Sequence, residues 1–334
     1  DGLNNAAMVS GYRGSPLGGI DTLMLGNAEE LTENNIQFVP GLNEDLGATT
    51  VWGSQLANRN FDGKFDGVLG MWYGKAPGVD RSGDAIRHAN VCGVDPKGGV
   101  LLVAGDDPAS KSSTLASESE FALLHFQTPI LYPGTVQEVA DYGRIGYELS
   151  RYSGLWVSLK IVTNVADGYS TIKVGPGRVQ MQRPDFEWDG SPWQHTQQDA
   201  LFGPFAVRQE LEIHEGRMEA TDAFTRLNQL DTVSGATSEA RIGLVAAGKT
   251  YYDLREALDR MGLDESALQQ RGVRLYKPAV VWPLEANGVR EFARGLDTIV
   301  VVEEKRAFIE MFLREILYGT TDAPIILGKR DAEN

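Results

Sequence analysis

Short apolar runs alternate with amphipathic helical patterns along most of this chain, and no other feature restricts the fold as much. Residues 6–10, 36–39, 67–71, 100–104, 129–132 and 155–162 read as buried strands. Between them, residues 20–31, 45–58, 81–91, 115–126 and 136–151 carry apolar positions at helical spacing. Strands separated by helices of this length predict an α/β protein with a mostly parallel sheet covered on both faces. Ligands of such sheets sit at the carboxyl ends of the strands. The glycine-bearing loops after Ser10, Val39 and Met71 fall there. Residues 164–205 break the rhythm with VGPGR at 174–178, RPDFEWDGSPW at 183–193 and FGPF at 202–205. A disordered linker carries few aromatics, so this stretch is expected to be an ordered connector lying on the domains. A helical lead-in follows at 210–230. The αβ pattern then returns, with strands at 242–246, 273–276 and 298–302 and helices at 251–261, 284–295 and 307–317. The expected division is a first domain at 1–174, a connector at 175–240 and a smaller α/β domain at 241–334.

The stretch 38–54 (FVPGLNEDLGATTVWGS) reads as a strand end, a glycine turn, one carboxylate at a helix start and a small-residue helix. Thiamine diphosphate enzymes need this arrangement. A Glu must meet N1′ of the cofactor's aminopyrimidine, and the adjacent helix must be slim enough for the ring to approach. Glu44 is the candidate. The plainer reading is a first-turn Glu that only complements the helix dipole, contributing under about 1 kcal/mol. This window alone leaves both open.

Three more segments belong with it: GYRGSPLGGID at 11–21, YGKAPGVDRSGDAIRHAN at 73–90 and GDDPASKSST at 105–114. Together they resemble the pyrimidine-binding domain of indolepyruvate:ferredoxin oxidoreductases, within the 2-oxoacid:ferredoxin oxidoreductase family. The resemblance covers residues 1–175 strongly and 240–320 more weakly, where the chain resembles the transketolase carboxy-terminal-type domain. It departs from the family pattern at Pro108, where His is expected, and in the acidic tract 117–120. Both departures bear on substrate choice.

The resemblance implies a set of roles. Glu44 is the activating carboxylate, with Gly14, Ser15, Pro16, Gly41 and Asn43 beside it on the cofactor. Arg13, Tyr73, Lys75, Arg81 and Lys111 face the substrate. Arg suits a bidentate grip on a carboxylate, which a 2-oxoacid brings. Lys75 and Arg81 near a helix start are electrostatically unusual, and a local anion would offset that. Asp80 is a candidate cap for the helix running to Val91. The complete enzyme would decarboxylate a 2-oxoacid, with an aryl preference, on thiamine diphosphate. It would pass electrons through iron–sulfur clusters to ferredoxin and the acyl group to coenzyme A. No Gly-Asp-Gly…Asn segment or Cys-x-x-Cys cluster occurs in the sequence. The Mg²⁺–diphosphate site and the [4Fe-4S] clusters are therefore expected on a diphosphate-binding domain and an iron–sulfur or γ-type domain outside this chain. No metal site is expected within it. A homo-oligomer is expected, with Phe186, Trp188 and Trp193 as apolar anchors or, equally, as cover for their own domain. The other functional class is a non-catalytic α/β domain kept for docking, which would have no need of Glu44.

Two tempting motifs fail. Lys111 lacks the preceding Gly of a phosphate loop, and the Tyr169…Lys173 pair has no dinucleotide fingerprint before it. A net charge of −15 argues against nucleic acid. No apolar run approaches the roughly 18 residues of a membrane helix. The single cysteine, Cys92, excludes an internal disulfide and reads as small apolar filler, which fits a cytoplasmic setting. Beginning at Asp1 in mid-pattern, the chain reads as a piece of a longer polypeptide.

Overall fold

A computed structural model describes residues 2–199, 201–235 and 238–331. Its strands are β1 (Asn5–Gly11), β2 (Ile36–Pro40), β3 (Gly67–Lys75), β4 (Gly99–Asp106), β5 (Ile130–Leu131), β6 (Val157–Val162), β7 (Glu187–Trp188) and β8 (Ser191–Pro192). They continue with β9 (Thr232–Ser234), β10 (Ile242–Val245), β11 (Val273–Lys277), β12 (Val280–Trp282), β13 (Thr298–Val301) and β14 (Ile325–Leu327). The first sheet has the order β12-β5-β6-β4-β3-β1-β2 and is parallel except where β12 meets β5. The second has the order β14-β13-β10-β11-β9 and is parallel except for β9. This is the α/β, mostly parallel architecture the alternation predicts.

The central strands show why the pattern was readable. β4 and β6 are buried at every position, as strands covered on both faces must be, so they appear as mainly apolar runs, interrupted in β6 by Ser158 and Lys160. Helix Glu44–Gln55 lies over Gly70 and Val100, while helix Val136–Ser153 lies over Leu101. Val100 and Leu101 are neighbours in β4 and point to opposite faces, so these helices cover opposite sides. Coverage is incomplete beside helix Gly19–Gly26, where an apolar groove of about 430 Å³ remains over Met71, Val103 and Leu159.

Several boundaries move. The pattern at 20–31 becomes two helices, Gly19–Gly26 and Ala28–Glu33, and that at 115–126 shortens to Glu120–His125. Pro77 sits in the first turn of a separate helix, Ala76–Arg81, ahead of Gly83–Cys92. Asp80 is therefore inside the earlier helix and does not cap the later one, whose N-cap is Ser82. Strand β9 joins the second sheet ahead of the expected start at Arg241.

Two elements knit the sheets. β12 leaves the second unit to pair with Leu131 and Ile130 at the edge of the first sheet, and one apolar core runs from Val9 to Ile326. The connector is ordered on its own unit. Phe186 and Trp188 meet Trp193 edge-on at 5.6 and 6.0 Å, and Trp193 Nε1 donates to Tyr152 O at 2.9 Å. These aromatics cover their own domain, the second of the two readings left open. The lead-in helix is Gly203–Glu212, a π turn at Ile213–Arg217, and Met218–Leu227. At the π turn the buried Arg217 donates to Glu212 and to the carbonyls of Asn90 and Thr196. No helix among the described residues is long and apolar enough to cross a membrane.

Candidate active site

The strand register brings four loops together. Gly11 lies beside Pro40 on one side and Tyr73 on the other, and Lys75 lies beside Gly105. The segments after β1, β2, β3 and β4 therefore leave one end of the sheet side by side. Close approach there requires glycine. A Cβ at Gly11 would lie 2.1 Å from Tyr73 O, and one at Gly47 would lie 2.9 Å from Gly11 Cα. Gly41 N donates to Gly11 O at 2.9 Å, fixing the turn before the helix.

Glu44 is the first residue of helix Glu44–Gln55 and is 9% exposed. The amide oxygen of Asn43 caps this helix, accepting from Leu46 N at 2.9 Å. Trp72 Nε1 donates to Glu44 O at 2.9 Å, pinning the turn to β3. Gly78 backs the side chain, leaving no room for a Cβ. The Glu44 carboxylate accepts no hydrogen bond from the described residues. Beside it Leu42 and Leu46 are exposed. The residue is largely buried, yet its carboxylate oxygens reach the surface at a helix N-terminus beside exposed apolar side chains, open to a donor from outside the chain.

The first glycine loop folds over the same end. The stem of Lys75 runs where a Cβ of Gly14 would stand, 2.9 Å from its Cδ. Leu17 packs onto Gly105, and the hydroxyls of Ser15 and Ser112 share a hydrogen bond. Pro16 lies between Ser15 and Leu17 and touches Gly105 as well. Arg13 is exposed at the loop's crest and makes no hydrogen bond or ion pair to the described residues. Lys75 is the N-cap of Ala76–Arg81, so its unusual position at a helix start is real.

The fourth loop is organised by Asp107. Its carboxylate accepts from the backbone N–H of Lys111, Ser112 and Ser113 at 2.9, 2.7 and 2.8 Å. Burial pushes this carboxyl up, but the three donors outweigh it and hold it down, to about 2. Lys111 Nζ reaches Asp167 at 3.0 Å in an exposed pair. The acidic tract that departs from the family pattern has structural partners: Glu118 pairs with Arg306 and Glu120 with Lys160. Lys160, 1% exposed, also lies 4.3 Å from the Tyr132 ring centroid. Burial works against its charge, yet Glu120, Tyr132 and Asp106 outweigh that and hold the ammonium well above the ordinary lysine value.

Two expected substrate residues have settings other than the expected ones. Tyr73 is fully buried and stacks on Phe38 at 6.5 Å. Its side chain is covered on all sides, so Tyr73 has no surface to offer a substrate. Its hydroxyl lacks a hydrogen-bond partner, and burial, with Asp21 next, raises its pKa. Arg81 is exposed in the last turn of Ala76–Arg81, where a cation is favourable, because Pro77 starts that helix early. Gly14, Ser15, Pro16, Gly41, Asn43, Glu44 and Lys75 do converge, with Arg13 and Lys111 at the rim. Sequence reasoning missed Gly78, whose role comes from an approach across loops, whereas Ser112 falls in the 106–113 stretch expected to shape the substrate side of the pocket. Sequence reasoning also missed Trp72, although the N–H of a buried indole usually finds an acceptor. Cys92 is buried and its thiol is pushed up to about 11, chiefly by burial. Among the described residues no group of three or more His, Cys, Asp or Glu is placed to hold a metal ion.

Comparison with known proteins adds names. A family model described as the indolepyruvate oxidoreductase domain matches residues 232–334. The indolepyruvate oxidoreductase subunit IorA of Archaeoglobus fulgidus is 24% identical over 221 residues, covering 66% of this chain and 33% of its own. That of Methanothermobacter thermautotrophicus is 25% identical over 331 residues, covering 98% of this chain and 48% of its own. The chain thus spans a third to about half the length of these relatives. A solved 2-oxoglutarate:ferredoxin oxidoreductase from Magnetococcus marinus, with 2-oxoglutarate, coenzyme A and succinyl-CoA bound, matches with a TM-score of 0.69 at 15% identity. It covers 97% of this chain and 59% of that one. The inactive β4 tetramer of a split-gene transketolase matches at 0.55 and 12%, covering 97% and 82%. At these identities the structural likeness is one of fold.

Proposed function

We propose that the chain belongs to the indolepyruvate:ferredoxin oxidoreductase family and forms the pyrimidine-side half of a thiamine diphosphate-dependent 2-oxoacid oxidoreductase. One observation carries the reading: Glu44 is buried, held at its backbone by Asn43 and Trp72, backed by Gly78, and left without a donor on its carboxylate. A domain kept only for docking has no use for a carboxylate fixed in this way at the mouth of the loops.

The residues present fit the cofactor's pyrimidine end. Glu44 would hold a proton at N1′, while Gly41, Gly14, Ser15 and Pro16 let the loops approach the ring, and Leu42 and Leu46 offer it apolar surface. Asn43 acts through the cap. When bound, thiamine diphosphate supplies a nucleophilic carbon and an electron sink for decarboxylating a 2-oxoacid. Lys75, in the loop cluster, is placed to attract the substrate carboxylate, with Arg13 and Lys111 at the rim. Diphosphate, Mg²⁺ and [4Fe-4S] clusters would be held by other parts of the enzyme. Ferredoxin would take the electrons, coenzyme A the acyl group, and an arylpyruvate such as indolepyruvate would be the substrate. The setting would be cytoplasmic and the assembly a homo-oligomer, completing the cleft of which these loops form one wall.

The test is Glu44→Gln in the full-length enzyme. It should keep the fold and slow exchange of the thiazolium C2 proton by about 10²–10⁴-fold, the usual reach of acid–base catalysis. Wild-type exchange in that variant would sink the assignment.

A further inference from the structure

A second cavity, of about 690 Å³, lies away from the Glu44 loops, on the face of the second sheet. Its walls are helix Met218–Leu227, the edge strand β9, strand β11 and helix Ala286–Ala293. Four buried polar atoms on these walls or beside them have no hydrogen-bond partner: Asp222 Oδ1, Thr225 Oγ1, Ser234 Oγ and Arg274 Nε. Buried polar atoms are almost always paired, so two on residues that line one cavity, Thr225 and Arg274, and two more beside it call for an explanation.

The charges are unbalanced in a particular way. Arg274 is 8% exposed, its Nη2 donates to Arg294 O at 2.5 Å, and its guanidinium lies 5.4 Å from the Phe292 ring centroid. No carboxylate among the described residues pairs with it, and burial is the one cause acting on its pKa, which it lowers. Carboxylates meanwhile are in excess. Glu285 caps helix Ala286–Ala293, and Asp231 accepts from Tyr276 Oη at 2.5 Å and Ala279 N at 2.8 Å. Arg226, half exposed, reaches Glu285 at 3.9 Å and Glu291 at 3.4 Å. Asp222 is pushed up to about 8 by burial and then by Glu219, Glu285 and Asp231.

We propose that this cavity binds a free α-amino acid, its carboxylate on Arg274 and the Thr225 hydroxyl and its ammonium on the Asp231–Glu285 side. A simple anion would satisfy Arg274 but meet the surplus carboxylates. A simple amine would leave Arg274 unpaired. A zwitterion complements both. The site is independent of the thiamine reading, since none of its residues belongs to the first sheet's loops.

Titration calorimetry on the protein tests this with glycine, L-phenylalanine, L-glutamate and L-lysine against acetate, methylamine and inorganic phosphate. At least one amino acid should bind saturably, with acetate, methylamine and phosphate about tenfold or more weaker, because each forms only part of the contacts. Arg274→Gln should abolish binding. Thr225→Val keeps the side-chain shape and removes a hydroxyl with no internal partner, so it should fold even if the Arg274 variant does not. It should weaken binding by about tenfold. Equal affinity for acetate or phosphate, no saturable binding by any amino acid, or unchanged binding in Thr225→Val would each overturn the proposal.

Discussion

Gly78 is the surface on which the Glu44 side chain rests: a Cβ at position 78 would lie 2.6 Å from Glu44 Cγ and 3.0 Å from its Oε1. In Gly78→Ala the carboxylate must move, because the helix carrying position 78 is fixed by Val79 packing beneath it. Alanine is the better helix former by about 1 kcal/mol, so the melting temperature should stay close to wild type. Thiazolium C2 exchange in the full-length enzyme should fall by about 10- to 100-fold, as a shift near 1 Å in a catalytic group does. Unchanged exchange would mean that the position of Glu44 does not matter to activation.

Asp107 gathers three consecutive N–H groups and thereby sets where Ser112 meets Ser15. Asp107→Ala should free the loop and cost about 1–3 kcal/mol. The sign of its pH dependence follows from its depressed pKa. The stabilisation is present above the ordinary carboxylate range and is lost as pH falls through about 4 toward 2. If the loop carries substrate-facing groups, KM for the oxoacid should rise more than kcat falls. Unchanged KM and kcat beside a lowered melting temperature would assign Asp107 to stability only.

Glu138 bolts the two sheets together. Lys277 Nζ and Tyr252 Oη both donate to it from the second unit, and Gly134 N donates to its other oxygen at 2.8 Å. Lys277 is 4% exposed, and burial lowers its pKa against the pull of Glu138. Removing one partner of a buried pair leaves an uncompensated charge, so Glu138→Ala should cost about 3–5 kcal/mol. Glu138→Gln, which keeps the acceptor, should cost less. Equal unfolding midpoints for Ala and wild type in denaturant would remove this role.

What sequence revealed depends on how local the cause was. β4 and β6 were legible because burial on both faces leaves a mainly apolar run. Glu44 was legible because glycine turn, Asn cap and carboxylate lie within four positions. β12 was not, since three residues carry no period and only the partner Ile130–Leu131 makes them a strand. Tyr73 looked like a loop residue, but the strand runs on to Lys75 and buries it. Arg81 was misplaced by one helix boundary. Lys160 sits inside an apolar run with its partners Glu120 and Tyr132 far off in sequence, so its buried ion pair appears only in three dimensions.

Asp222 gives the last prediction. Burial and three neighbouring acids raise its carboxyl from 3.8 to about 8 in the folded chain. Between about pH 4 and 8 the folded state therefore holds a proton that the unfolded state has released. Stability must then fall as pH rises through that window, because the unfolded state binds fewer protons there. Asp231, pushed up to about 6 by burial, adds to the same slope over its lower part. Asp222→Asn needs no proton and should erase the Asp222 share. The variant should match wild type near pH 4 and exceed it by about 2–5 kcal/mol at pH 8. The difference between the two denaturation curves, taken at each pH, cancels every titrating group that does not couple to Asp222. A constant difference from pH 4 to 8 would show that Asp222 is ionised in the native protein and that a neighbouring cation reaches it.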